Sequence, residues 1–107
     1  MAACNMSEER VTLQMIKEAQ ERLKGVAQKT GLSYSNSVSD LAGCEVYLKL
    51  ENLQRTGSFK LRGAYNKVAS LTPEEREKGV IAASAGNHAQ GVALAASAYG
   101  CQSVICM

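Results

Sequence analysis

Along this chain the hydrophobic positions change period from block to block. From residue 12 to about residue 24 the apolar side chains fall at Val11, Met15, Ile16, Ala19, Leu23 and Val26. That is the stripe of an amphipathic helix, with Thr12 as N-cap and Gly25 as the residue after its end. Ahead of it, residues 1–10 read as a loose polar leader. Residues 28–43 are rich in Ser, Thr, Gly and Asn, and predict a loop holding at most a short strand or turn. From Cys44 to Leu50 the period drops to two. Val46, Leu48 and Leu50 share one face, Tyr47 and Lys49 the other, which predicts a strand.

Helical spacing returns after a polar loop over residues 51–57. Leu61, Ala64, Tyr65, Val68 and Leu71 predict a helix over 58–71, capped by Ser58 or Thr56. Thr72-Pro73-Glu74-Glu75 starts a second, short helix: a cap, a proline in the first turn, acids facing the dipole. Gly79 ends it. Gly79–Ala83 then predicts a buried strand, Ser84–Gly91 a glycine-containing loop entering a helix, and Val92–Tyr99 the continuation of that helix, which Gly100 stops. That helix is apolar almost all round, so it is expected to be buried. Its alanines permit close packing against a sheet. Gln102–Met107 predicts a last strand.

Strand, helix and strand from Val80 to Cys106 make a βαβ unit, which implies parallel strands and a right-handed crossover. The fold class is therefore α/β with an incomplete parallel sheet. Two parallel strands with one crossover helix are a poor core on their own, and the last strand reaches the final residue. The pattern reads as the first part of a larger fold.

Composition narrows the function classes. The 107 residues are 46% hydrophobic and 21% charged, which suits one globular domain and not a disordered chain. A net charge of +2 is too weak to imply nucleic-acid or membrane-surface binding. No apolar run approaches about 18 residues, the length of a membrane span, and the N-terminus lacks a secretory pattern. Cys4, Cys44, Cys101 and Cys106 form no C-x-x-C pair and are too scattered for a zinc site. They read as free thiols in a reducing, cytoplasmic compartment.

Two segments carry candidate chemistry. In TGSFKLRGA (residues 56–64), Lys60 falls in the first turn of a helix, where the dipole disfavours a cation. A lysine partly desolvated beside another cation has a suppressed ammonium form, and its amine suits Schiff-base chemistry. The alternative is a solvated surface lysine. In SAGNHAQG (residues 84–91), a tight strand-to-helix turn aims backbone N–H groups at one spot, which favours an anion. It is neither G-x-G-x-x-G nor a Walker A loop, and the alternative is a plain turn capped by Ser84 or Asn87. His88 has no carboxylate near it in sequence to orient it; the one aspartate is Asp40, and no G-x-S-x-G elbow exists. Arg55, Lys60, Arg62 and Lys67, with Phe59 and Tyr65 between them, read as a solvated helix face and not as an RNA-binding signature.

Taken together, YLKLENLQRTGSFKLRGA (residues 47–64) and GVIAASAGNHAQGVALA (residues 79–95) resemble the fold-type II pyridoxal-phosphate enzymes, and within them the threonine dehydratases (threonine ammonia-lyases). The resemblance runs from about residue 12 to the end of the chain. Gly31, where many relatives carry proline, looks more like the catabolic branch than the biosynthetic one.

The resemblance implies that Lys60 binds pyridoxal 5′-phosphate covalently and later removes the substrate's α-proton. Phe59 packs against the cofactor ring, and Asn87 hydrogen-bonds its 3′-oxygen. Ser84, Gly86, Asn87 and His88 hold the substrate carboxylate. The implied reaction is α,β-elimination on L-threonine, giving 2-oxobutanoate and ammonia, or on L-serine, giving pyruvate. It also implies that residues 1–52 belong to a larger domain and 53–107 begin a smaller one. The phosphate-gripping loop and the partner of the pyridine nitrogen are then expected beyond these residues, so that this chain alone is expected to be inactive. The full-length form is expected to be a homo-oligomer. Serine racemase or a threonine synthase relative is the alternative within the superfamily. A non-catalytic α/β anion-binding module is the alternative of another class.

Overall fold

The computed structural model describes residues 10–107. The polar leader expected at the N-terminus and Cys4 lie outside them. The first helix, α1 (Leu13–Arg22), starts where expected: the Thr12 side chain accepts the Met15 N–H. Gly25, at φ +75°, turns the chain after it. The apolar stripe of α1 is only partly covered by the described residues: Val11, Met15 and Ile16 are exposed, while Ala19, Leu23 and Val26 are half-buried. Arg22 Nη1, donating to Asn66 Oδ1 at 3.0 Å, ties the end of α1 to the third helix.

The Ser/Asn-rich stretch holds more structure than its composition predicts. A strand β1 (Leu32–Tyr34) is followed by a helix α2 (Asn36–Ala42) where a loop was expected. The helix forms because both ends are satisfied. Ser35 accepts the Val38 N–H at its start, and Gly43, at φ +68°, closes it by donating to the Ser39 carbonyl. The strand predicted over 44–50 shortens to β2 (Tyr47–Lys49), which pairs antiparallel with β1, Ser33 opposite Leu48. The predicted alternation buries neither face, and all three residues of β2 are exposed. Tyr34 and Tyr47 meet edge to face across the pair, centroids 5.3 Å apart.

The polar loop that follows makes two turns of 3-10 helix, Glu51–Leu53 and Arg55–Gly57. Thr56 within the second has φ +65°, a left-handed conformation that a β-branched residue rarely adopts. The chain then enters α3 (Lys60–Ser70), with Leu61, Ala64 and Val68 on its buried face. The next helix, α4 (Pro73–Glu77), is as predicted. Thr72 accepts the Glu75 N–H while the Glu75 carboxylate accepts the Thr72 N–H, a complete capping box.

The βαβ unit is present as β3 (Val80–Ala83), α5 (Asn87–Ala98) and β4 (Ser103–Cys106), with β3 and β4 parallel and Ile81 opposite Val104. Helix α5 packs against both this pair and α3. Ala64, Val68, Val92 and Ala95 make the core, with Val80, Ala82, Tyr99 and Ile105 packed against it. Two expectations are corrected here. Helix α5 is buried along one stripe (Gly91, Val92, Ala95, Ala96) and not all round. Strand β3 is covered on one face only: Ile81, on the other, is 74% exposed. Both follow from a sheet of two strands with one helix layer over it, which leaves its far face bare. The radius of gyration, 17.3 Å, exceeds the roughly 13 Å of a compact domain this long. No described helix is long and apolar enough to cross a membrane. Cys44, Cys101 and Cys106 are free thiols; Cys101 alone of these is buried, its Sγ–H donating to the Arg76 carbonyl.

Candidate functional site

The two segments singled out in the sequence meet where α3 and α5 begin. Gly91, on the second turn of α5, faces the first residue of α3. A Cβ built on it would stand 3.2 Å from the carbonyl carbon and oxygen of Lys60 and 3.2 Å from the Leu61 nitrogen. A side chain there would be crowded, and the α3 backbone would have to give by a few tenths of an ångström to admit it. The close approach sets the N-terminal ends of both helices side by side, so their unpaired N–H groups and positive dipole ends converge.

Lys60 is the first residue of α3 and is exposed. Its Nζ lies 4.9 Å from the centroid of the Phe59 ring, which is 58% exposed. Its backbone N–H donates to Ser58 Oγ at 3.3 Å, and Ser58 is buried. Of the two expected caps, Ser58 therefore contributes. Thr56 does not: its Oγ1 is buried with no hydrogen-bond partner. The partial desolvation expected of Lys60 is absent, because its side chain leaves the helix away from the core that covers Leu61. The neighbouring cation Arg62 is not free either; it is paired with Glu51.

At the other segment the loop enters its helix as expected: the turn spans residues 84–86, and α5 begins at Asn87. The Ser84 N–H donates to the Cys106 carbonyl at 2.9 Å, and Ser84 Oγ accepts the Gly86 N–H at 3.3 Å. Neither Ser84 nor Asn87 caps the helix, which has no side-chain cap at all. The N–H groups of its first turn are thus left for another acceptor. Asn87 is exposed, and a Cβ at Gly86 would meet open space, so a ligand can reach this backbone. His88 is exposed and lines a groove of about 440 Å³ with Lys67, Val80, Ala82 and Val92. Lys60 is not part of that groove. Gly91 thus sets the second turn of α5 against the Lys60 backbone, while His88 lines the groove.

The network around Glu51 was not read from the sequence. Glu51 accepts from Arg62 Nε and Nη2, both at 2.9 Å, and from Thr30 Oγ1 at 2.7 Å. Lys49 Nζ lies 4.0 Å away and donates to the Thr30 carbonyl. The two charge-assisted bonds from Arg62 hold the Glu51 carboxyl down at about 2, against the opposing effect of burial and with help from Thr30. The same pair raises the Arg62 guanidinium further. Gln54, 4% exposed, ties the same region together: its amide accepts the Gln28 N–H at 2.8 Å and donates to the Gln28 carbonyl at 2.9 Å. Glu51 and Arg62 stand eleven positions apart across a loop, a spacing with no helical or strand period to reveal it.

Residues 23–107 match the family model described as pyridoxal-phosphate dependent enzyme. The chain is 62% identical over 97 residues to an L-threonine ammonia-lyase of Thermotoga maritima, covering 91% of this chain and 24% of that protein. It is 52% identical over 97 residues to the catabolic L-threonine dehydratase of Escherichia coli K12, covering 91% and 30%. In structure it superposes on serine racemase from Dictyostelium discoideum with a TM-score of 0.82 at 44% identity, covering 89% of this chain and 31% of that one. It therefore spans under a third of the length of each of these relatives.

Proposed function

Because the chain belongs to the pyridoxal-phosphate dependent enzyme family, we propose that it is the cofactor-lysine segment of a threonine/serine ammonia-lyase. The reaction converts L-threonine to 2-oxobutanoate and ammonia, and L-serine to pyruvate and ammonia. The observation that carries this reading is the junction of α3 and α5, where Gly91, one turn into a helix with no side-chain cap, packs on the Lys60 backbone.

The residues at this junction suit the cofactor. Lys60 offers a solvent-accessible amine, Phe59 an exposed flat ring, Asn87 an exposed amide with both donor and acceptor atoms, and the 84–88 backbone a set of N–H donors around the open position at Gly86. Bound there, pyridoxal 5′-phosphate supplies an electron sink for negative charge developing at the substrate α-carbon.

The chain's own groups do the rest. Lys60 Nζ would hold the cofactor and, as a free amine, would take the substrate α-proton as a base. Asn87 would hold the cofactor through its side-chain amide. The loop of Ser84, Gly86, Asn87 and His88 binds the substrate carboxylate: Asn87 and His88 offer the free N–H groups of the α5 start, favoured by its dipole, while the Ser84 and Gly86 N–H groups are engaged within the turn. His88 serves here through its backbone, since its imidazole faces the groove. The hydroxyl on the β-carbon leaves as water, and the released enamine hydrolyses to the 2-oxo acid and ammonia.

The test is borohydride reduction of the full-length protein after pyridoxal phosphate treatment, followed by peptide mapping. Label on Lys60, lost in Lys60→Ala together with 2-oxobutanoate production, supports the reading. Label elsewhere that persists in Lys60→Ala overturns it. The likeness to serine racemase at a TM-score of 0.82 supports a second reading, in which D-serine and not pyruvate accumulates from L-serine; chiral product analysis separates the two.

A further inference from the structure

We propose that Glu51 is a positioning residue for Lys60, acting through Arg62: it fixes the rotational setting of the first turn of α3, and so the direction in which the Lys60 amine is presented. The proposal rests on the reading of Lys60 as the cofactor lysine.

Lys60, Leu61 and Arg62 are the first three residues of α3. Successive side chains on a helix point about 100° apart, so fixing two of three directions fixes the third. Leu61 is fully buried and pins one direction into the core. Arg62 pins the second. Its planar fork meets both carboxylate oxygens of Glu51 at 2.9 Å, an arrangement that tolerates little rotation. Lys60 takes the direction left over. Phe59 makes no side-chain capping bond, and the Ser58 bond to the Lys60 N–H is long at 3.3 Å.

An ion pair between two freely moving surface chains would hold nothing in place. This one differs because its acidic member is itself held. The Glu51 side chain is 17% exposed and the Arg62 side chain 34%. Thr30 donates to Glu51 Oε1 at 2.7 Å, and Thr30 is buried. The segment that carries Thr30 is fastened in turn by the two Gln54–Gln28 bonds and by Lys49 Nζ on the Thr30 carbonyl. Glu51 thus transmits the position of residues 28–30 to the helix that bears Lys60. The Lys60 chain has four rotatable methylenes, so the setting of its backbone limits where Nζ can reach.

The experiment measures the rate at which pyridoxal phosphate and borohydride label Lys60, by quantitative peptide mapping of the full-length apo-protein. The Lys67 and Lys78 peptides serve as internal references, and melting temperature is recorded alongside. Misplacing a reactive group by about 1 Å can cost on the order of a hundredfold in rate. The expected result is a fall of about tenfold at Lys60 in Glu51→Gln, with the reference lysines unchanged. Arg62→Lys, which keeps the charge and loses the fork, is expected to do the same, and the double variant is expected to be no slower than the worse single. If Glu51→Gln unfolds, Arg62→Lys is scored by the same criteria. A lower melting temperature with the Lys60 rate unchanged makes the pair merely structural and overturns the proposal. Failure of Lys60 to label in the unsubstituted protein overturns the functional reading first, and is distinguished by needing no variant at all.

Discussion

Gly91 of α5 lies close against the backbone of Lys60, 3.2 Å from the Lys60 carbonyl to the point a Cβ would occupy, so a methyl group there would crowd α3. This contact, and not any side-chain bond, sets the spacing of the two helix ends that form the site.

Gly91→Ala therefore sets two effects against each other. Replacing a mid-helix glycine gains about 1 kcal/mol of helix propensity. Crowding a packed contact costs about 1–3 kcal/mol, and here the neighbour is backbone that cannot rotate away. Leu61 and Arg62 anchor that backbone. The expected net loss is about 1 kcal/mol, and the larger Gly91→Leu should lose more. Urea unfolding measures both. A gain in stability for Gly91→Ala would mean that α3 yields freely.

Acid should weaken the Glu51 clamp at a defined point. The carboxyl is held at about 2, below its ordinary 4.5, first by the Arg62 bonds. Its contribution is complete above pH 4.5 and is lost as pH falls toward 2. After discounting for the partly exposed Arg62, that contribution is about 2 kcal/mol. Unfolding free energies of Glu51→Gln should run parallel to those of the unsubstituted chain below pH 2 and fall short of them above pH 4.5. A constant gap across the range would contradict this.

Thr56 stores strain beside the site. Its φ of +65° and its buried, unpartnered Oγ1 both cost free energy, about 1–3 kcal/mol each. Thr56→Gly relieves both and pays about 1 kcal/mol of backbone entropy, so a net gain of about 1 kcal/mol is expected. Thr56→Val keeps the strain and removes only the hydroxyl, and is expected to gain less. Thermal melts of the two variants separate the contributions. Should both prove destabilising, the hydroxyl has a partner in solution.

Asn87 is expected to matter for binding and not for folding. It is exposed, and α5 has no side-chain cap. Asn87→Ala should change stability by less than about 0.5 kcal/mol. In the full-length protein it should weaken pyridoxal phosphate binding by about tenfold, the worth of one hydrogen bond. Absorbance titration of the apo-protein measures this, and unchanged affinity would remove Asn87 from the site.

What could be read from sequence was local. The Thr72-Pro73-Glu74-Glu75 start was legible because its cap, proline and acid lie within four residues and act on one another directly. Helix α2 was not, because Asn, Ser and Asp are weak helix formers; its signal lay at the ends, in Ser35 and Gly43. Lys60 stood out by residue type and neighbours, with an exposed surface lysine as the alternative reading that the structure bears out; Asn87 entered through the family resemblance of its segment. The close approach of Gly91 to the Lys60 backbone is a contact no local pattern reveals. The pairing of Arg62 with Glu51 was beyond reach because it spans eleven positions across a loop.

The β3–β4 pair has a consequence for handling the protein. Each strand has one partner, so each keeps a free hydrogen-bonding edge. Neither VIAA nor SVIC carries a charge or proline to discourage pairing, and Ile81 and Val104 are exposed on one face. An uncovered apolar strand pair with open edges is a template for other chains. Preparations of residues 1–107 are therefore expected to self-associate as concentration rises, and a lysine at Ile81 or Val104 is the substitution best placed to keep them dispersed.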